Sequence, residues 1–195
     1  MTLKDLISEE DLAALQRELH DRSGLNADIM DAEGHRLLGN TWGNDLCRAI
    51  RNDEKGFGAI CATAGQMFTQ LLKKGEPFVE YCDAGMVRVS VPVVVDGEVV
   101  GAVGGCGLVP ADEEVDEFTV GMMSGLDEAA IAERVKTVSA ADEARLAEIQ
   151  AFIAKRLEAL LPWPEPGHFS YSRLLGGFFL PARGVCGKDR PERNN

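Results

Sequence analysis

The sequence predicts an α+β domain: about five antiparallel strands, helices packed on one side, and a helix at each end. Three observations carry this. Alternating and β-branched runs recur at 25–38, 77–81 and 86–109. Helix-period stripes occupy the flanks and the 44–74 stretch. An Asp96-Gly97 pair joins two apolar runs, the strongest short hairpin signal in the chain. Strands followed by runs of helix, rather than strict alternation, indicate segregated layers.

Taken in order, residues 2–22 read as one helix or two abutting ones. Ser8 and Asp11 resemble a capping box, Leu12, Leu15 and Leu19 share a face, and Ser23-Gly24 ends the helix. Leu25–Met30 and His35–Leu38 read as a hairpin about Asp31-Ala32-Glu33-Gly34. Residues 44–52 and 58–74 read as helices, the second closed by Gly75. Pro77–Tyr81, Met86–Val95 and Glu98–Val109 read as strands. Gly101, Gly104, Gly105 and Gly107 in the last imply either a close approach to its backbone or a bulged, bent strand end.

Residues 112–123 and 127–136 read as short helices. Ser139 is expected to cap a long one whose stripe is Leu146, Ile149, Ile153, Leu157 and Leu160. Pro162-Trp163-Pro164 stops it. The domain is therefore set at 1–162, with 163–195 as an irregular tail; within the tail, Phe169–Leu180 is apolar enough to dock and Cys186 is expected to be a bystander.

Composition limits the function. The net charge is −12 over 195 residues and the pI is about 4.7. Such a surface argues against nucleic acid or an anionic membrane as partner. No apolar run reaches the roughly 18 residues of a membrane span, and the acidic start does not read as a signal peptide. The expected location is the cytoplasm, where cysteines stay reduced.

Five cysteines then need an explanation. Cys47, Cys61, Cys82 and Cys106 are separated by 13, 20 and 23 residues, with no Cys-x-x-Cys pair. Spacing alone does not make a metal site. Three readings stay open: buried thiols lining an organic-ligand pocket, a metal or iron–sulfur site, and a reversible thiol switch. Arg48, Arg51 and Arg88 are near enough in sequence to favour thiolates. Arg88 itself is expected at the surface, as most arginines are. Tyr81, Phe57, Phe68, Met67 and Phe78 read as core, and Trp42 as packing that doubles as a cover for a pocket. There is no nucleophile elbow, P-loop or His-Glu-x-x-His, so catalysis is not expected.

The stretch Tyr81-Cys82-Asp83-Ala84-Gly85-Met86 resembles the Cys-His-Ala-Gly-Leu signature of the PocR sensory domain family. Leu46-Cys47-Arg48-Ala49-Ile50-Arg51 resembles that family's first cysteine helix, and Cys61 stands where a second cysteine is expected. Val91–Gly101 resembles its central hairpin, and Ser124-Gly125-Leu126 its closing part.

The resemblance covers roughly 5–161. It implies a PAS-like fold that senses small organic molecules such as alcohols and diols, beside DNA-binding or kinase modules. Here 162–195 is too short and irregular for a helix-turn-helix, so a stand-alone sensor is expected. Asp83 stands where the family commonly has histidine, and Cys106 where it has glutamine. The candidate ligand-binding set is Cys47, Cys61, Tyr81, Cys82, Asp83 and Cys106. The same four cysteines are the candidate ligands for zinc or an iron–sulfur cluster. A homodimer through helix 142–161 and a separate signalling partner complete the expectations.

Overall fold

The computed structural model describes residues 1–161. The expectations for the tail, including Phe169–Leu180 and Cys186, lie outside the described residues.

The chain opens with α1 (Leu3–Leu6) and α2 (Glu9–Ser23). Ser8 caps α2 by accepting from the Asp11 amide at 3.1 Å, and Gly24 ends it at φ 73°. Of the two arrangements expected for 2–22, the pair of abutting helices is the one formed. β1 (Asn26–Met30) follows. The expected partner strand at 35–38 shrinks to a single bridge between Met30 and Arg36. The loop beyond it is taken by other work. Arg36 turns to a carboxylate on β1, and the Gly39 carbonyl accepts from the Gln16 amide at 2.7 Å.

α3 (Asp45–Asn52) and the short α4 (Glu54–Gly56) come next. The helix expected over 58–74 is a π-helical turn, Phe57–Ala62, running into α5 (Thr63–Leu72). β2 (Phe78–Tyr81), β3 (Val87–Val95) and β4 (Glu98–Pro110) form a meander. Its β3–β4 turn has positive φ at both Asp96 (52°) and Gly97 (84°), as a type I′ turn requires.

α6 (Glu117–Met123) starts later than 112 because the Asp116 carboxylate caps it, accepting from the Thr119 amide at 2.8 Å. α7 (Glu128–Val135) follows. Ser139 is not the last helix's cap. Residues Ala140–Ala141 form β5, and Asp142 caps α8 (Glu143–Leu160) instead, accepting from the Arg145 amide. The backbone at Ser139 is taken up by β4, its carbonyl accepting from the Val109 amide at 3.0 Å, so the helix starts beyond it.

The sheet order is β1-β4-β3-β2, all antiparallel, with the two-residue β5 added parallel to β4. The register sets the faces. Asn26, Asp28 and Met30 of β1 stand beside Cys106, Gly104 and Ala102 of β4, and these stand beside Arg88, Ser90 and Pro92 of β3. Alternate residues such as Ala27, Ile29, Val89, Val91 and Val103 point the other way. They join Leu12, Leu15 and Leu19 of α2 and Leu146, Ile149, Ile153 and Leu157 of α8 in the main core. The α8 stripe is thus committed to its own chain. A second core gathers α3, the π turn, α6 and α7 around Leu46, Ile50, Ile60, Met86, Val120 and Ile131. With layers on both faces, β1 is buried along its whole length.

Two features fix the middle of the sheet. Gly104 has no room for a side chain: a Cβ there would lie within 3.0 Å of the Ser90 Cα and closer still to the Val89 carbonyl. The close approach expected from the glycine run is therefore real, and its source is the neighbouring strand. The second feature corrects the expectation for Arg88. This arginine is 3% exposed, not solvated. Its two terminal nitrogens hold the Asp28 carboxylate at 3.0 and 2.6 Å across the glycine at 104, and its guanidinium lies 5.5 Å from the Phe68 ring centre. Arg36 adds a contact to the same carboxylate at 3.1 Å. Burial pushes the Asp28 carboxyl up, but the charges of Arg88 and then Arg36 outweigh it and hold it below the usual carboxylate range.

Gly104→Ala should lower stability by about 1–3 kcal/mol in urea unfolding, the usual cost of forcing atoms into a packed site. Gly58→Ala, with open space around its Cβ inside a helical turn, should be neutral or gain up to about 1 kcal/mol. Asp28→Asn should cost about 3–5 kcal/mol, because it strands a buried guanidinium. The depressed Asp28 pKa gives the pH sign. Its contribution is full above the ordinary carboxylate value of about 3.9 and disappears as pH falls through the lower folded value. The acid limb of a stability–pH profile should therefore flatten in the Asn variant.

Candidate functional site

Four cysteines fall in one region of the fold, where Cys106 and Cys82 are near enough to act on the charge of Cys47 and Cys61. Cys47 lies in the first turn of α3. Asn44 positions it: its side-chain oxygen accepts from the Cys47 amide at 2.7 Å, and its side-chain nitrogen donates to the Gly107 carbonyl at 2.8 Å. One buried asparagine thus caps the Cys47 helix and ties it to β4 beside Cys106. Gly107 makes the junction possible. Its φ of 104° belongs to glycine, and a Cβ there would strike the Asn26 and Asn44 amides.

Asn26 secures the other side. Its oxygen accepts from the Gly43 amide at 2.7 Å, while its nitrogen faces the Cys106 sulfur at 3.9 Å. Cys61 arrives on the π-helical turn, which widens the helix where the sulfur enters. Cys82 sits in the 82–86 turn, where its amide donates to the Met86 carbonyl at 2.9 Å. The Cys47 thiol lies 3.6 Å from the Met86 sulfur.

Burial is the first cause of the thiols' electrostatics. It pushes Cys47 well up, and the negative charges that Cys106 and Cys82 would carry push it further. Cys61 is raised to about 11 by burial and then by Cys106, against a smaller opposing pull from Arg51. Cys82 is raised by burial too, despite the Ala84 and Met86 amides that would stabilise its thiolate. These three are neutral thiols at pH 7. Arg51 stands one turn after Cys47, with its guanidinium 5.2 Å from the Phe57 ring centre. Burial and then Arg36 lower its pKa.

A cavity of about 40 Å³ opens at this point. Cys47, Cys61 and Cys106 line it, with Arg36, Arg51, Asn26, Asn40, Thr41 and Trp42 among the other walls. Trp42, read as packing that could also cover a pocket, is one of the lining residues. Cys82 is outside the lining, although near enough to Cys47 to influence its charge. Tyr81 is 46% exposed and Asp83 is exposed, so both stand on the surface away from the lining. Phe57 and Met67, expected in the core, are about two-fifths exposed, whereas Phe68 and Phe78 stack at 6.2 Å.

The donors are chemically suited to a soft metal or cluster, but their spacing is not. Among the described residues no three His, Cys, Asp or Glu side chains are close enough to hold one metal ion. Sequence reasoning missed Asn26, Asn44 and Arg36, and named Arg51 only as a charge near the cysteines. The Asn44-Asp45-Leu46 helix start was a legible capping signal. The arginine and asparagine roles depend on contacts across the fold that no local pattern announces.

No helix among the described residues is long and apolar enough to cross a membrane. No curated protein and no solved structure matches the chain significantly. Residues 5–161 match the sensory domain found in PocR, a span that includes the sheet, both helical layers and the cavity just described. By that match the chain belongs to the PocR sensory domain family.

Proposed function

We propose that the domain binds a small molecule in the cavity of Cys47, Cys61 and Cys106 and passes the event to a partner in the cytoplasm. The carrying observation is that cavity. It sits where four elements meet (β1, β4, α3 and the π turn), and three cysteines and two arginines are among its walls. At about 40 Å³ it is far below the roughly 300 Å³ of an ordinary ligand pocket. At the roughly 10–15 Å³ of such space that one water needs, it holds about three waters. The ligand is therefore very small, or the helices over the cavity move apart to admit it.

Occupation of the site would alter the packing of α3 and β4. α2 and α8 lie directly behind the sheet and are the elements placed to report the change to a second copy or another protein. A catalytic thiol is not favoured, because burial keeps Cys47, Cys61 and Cys82 protonated and so weakly nucleophilic.

A thermal-shift series with ethanol, ethane-1,2-diol, propane-1,2-diol, formate and acetate at millimolar levels tests this reading. Saturation a hundredfold above Kd adds about 2.7 kcal/mol, or roughly 5–10 °C in a domain of this size. Cys61→Leu, which fills the cavity, should abolish the shift while the protein stays folded. A flat response to the whole series would refute the reading.

The gathering of four thiols supports a second reading, a metal- or iron–sulfur-binding redox sensor using Cys47, Cys61, Cys82 and Cys106. It requires the sulfurs to draw together and ionise on loading. Protein purified without oxygen should then carry iron or zinc in stoichiometric amount and lose it in Cys106→Ser. A colourless preparation with only trace metal rejects it.

A further inference from the structure

The charge balance of the cavity is one-sided. Of its lining residues two are charged, and both are arginines. No carboxylate lines it, in a chain with 32 acidic residues against 20 basic ones. Behind the lining, a single carboxylate, Asp28, is shared by Arg36 and Arg88. Counting Arg36, Arg51 and Arg88 as positive and Asp28 as negative leaves two positive charges. Cys47 and Cys61, as neutral thiols, do not offset them.

Arg51 makes no ion pair among the described residues; its partner is the Phe57 ring. A partly buried guanidinium without a carboxylate is costly, and proteins ordinarily pair such groups. A second buried cationic group is also incompletely satisfied. The Arg88 Nε, in a residue that pairs directly with Cys106 across β3 and β4, has no hydrogen-bond partner. The neutral walls add a few donors: the Asn26 side-chain nitrogen faces the Cys106 sulfur at 3.9 Å and bonds the Cys47 sulfur, and Asn40 stands in the same lining.

We infer that the ligand of this cavity is a small planar oxyanion, a one- or two-carbon carboxylate of the formate or acetate type, held by Arg51 and Arg36. The inference rests on the cavity being the ligand site and names the class of molecule that enters it. Size and charge agree. The cavity has room for about three waters, which matches the three or four heavy atoms of such an anion. A planar carboxylate fits the guanidinium fork through two parallel N–H···O bonds, which a hydroxyl cannot make. The sulfurs of Cys47, Cys61 and Cys106 would form a soft floor under the anion, and Trp42 would shield it from water.

The test uses the full chain in a thermal-shift titration, with sodium formate and sodium acetate as probes. Sodium chloride at equal ionic strength, formamide and acetamide are the controls, with ethanol and ethane-1,2-diol alongside. The anions should raise the midpoint by several degrees and the controls should not. Arg51→Gln should weaken the response roughly ten- to a hundredfold, the scale of a hydrogen bond to a charged group. If that variant does not fold, Arg51→Lys keeps the charge without the fork and should show an intermediate loss. Equal shifts from acetate and acetamide, or an undiminished shift in Arg51→Gln, overturn the inference. A response to ethanol or the diol without one to the anions overturns it and leaves the ligand-binding reading intact. Silence from anions, amides, alcohol and diol together removes both.

Discussion

The buried Asp28 carboxylate, clamped by Arg88 and touched by Arg36, is the constraint around which the rest is arranged. It joins β1 to β3 across the middle strand, past Gly104, which the β3 backbone approaches too closely for a side chain. Taking these groups from water is expensive, and a buried ion pair is weak evidence for stability by itself. What it contributes is position. Two strands that do not touch are locked in register, and Arg36 is drawn from the loop onto the inner face. That last contact brings 36–44 down over the sheet, which makes Asn40, Thr41 and Trp42 walls of the cavity.

The fold was legible where pattern is local. The α2 cap at Ser8, the Gly24 stop, the Asp96-Gly97 turn and the α8 stripe each followed from short-range chemistry. The errors came where a distant partner decided. His35–Leu38 alternates like a strand, but its arginine is spent on Asp28. Ser139 had the makings of a cap, but the backbone around it pairs with Val109 and Pro110 of β4. The 58–74 helix carried no mark of its π turn, since periodicity over one widened turn barely changes.

The site was legible in part for the same reason. Cysteines stand out by type, so four separated ones could be nominated from the sequence, and folding brings them near enough to feel one another's charge. Three of them reach the cavity wall. Tyr81 and Asp83 were nominated as neighbours of Cys82, but a tight turn throws successive side chains in different directions, and these two face solvent. The asparagines and arginines that shape the cavity are common surface residues in most sequences. Only the register of β1 against β4 and the path of the 31–44 loop turn them inward.

The sheet separating the cavity from the terminal helices is a single ply. Asn26 and Cys106 face one side, and their immediate neighbours Ala27 and Gly105 face the other, so no intermediate layer of atoms absorbs a displacement. Arg156 of α8 and Glu18 of α2 meet at 2.8 Å on the far side, coupling the two helices directly. The arrangement has the mechanics of a diaphragm. Pressure on one surface is felt at once on the other, by both ends of the domain together.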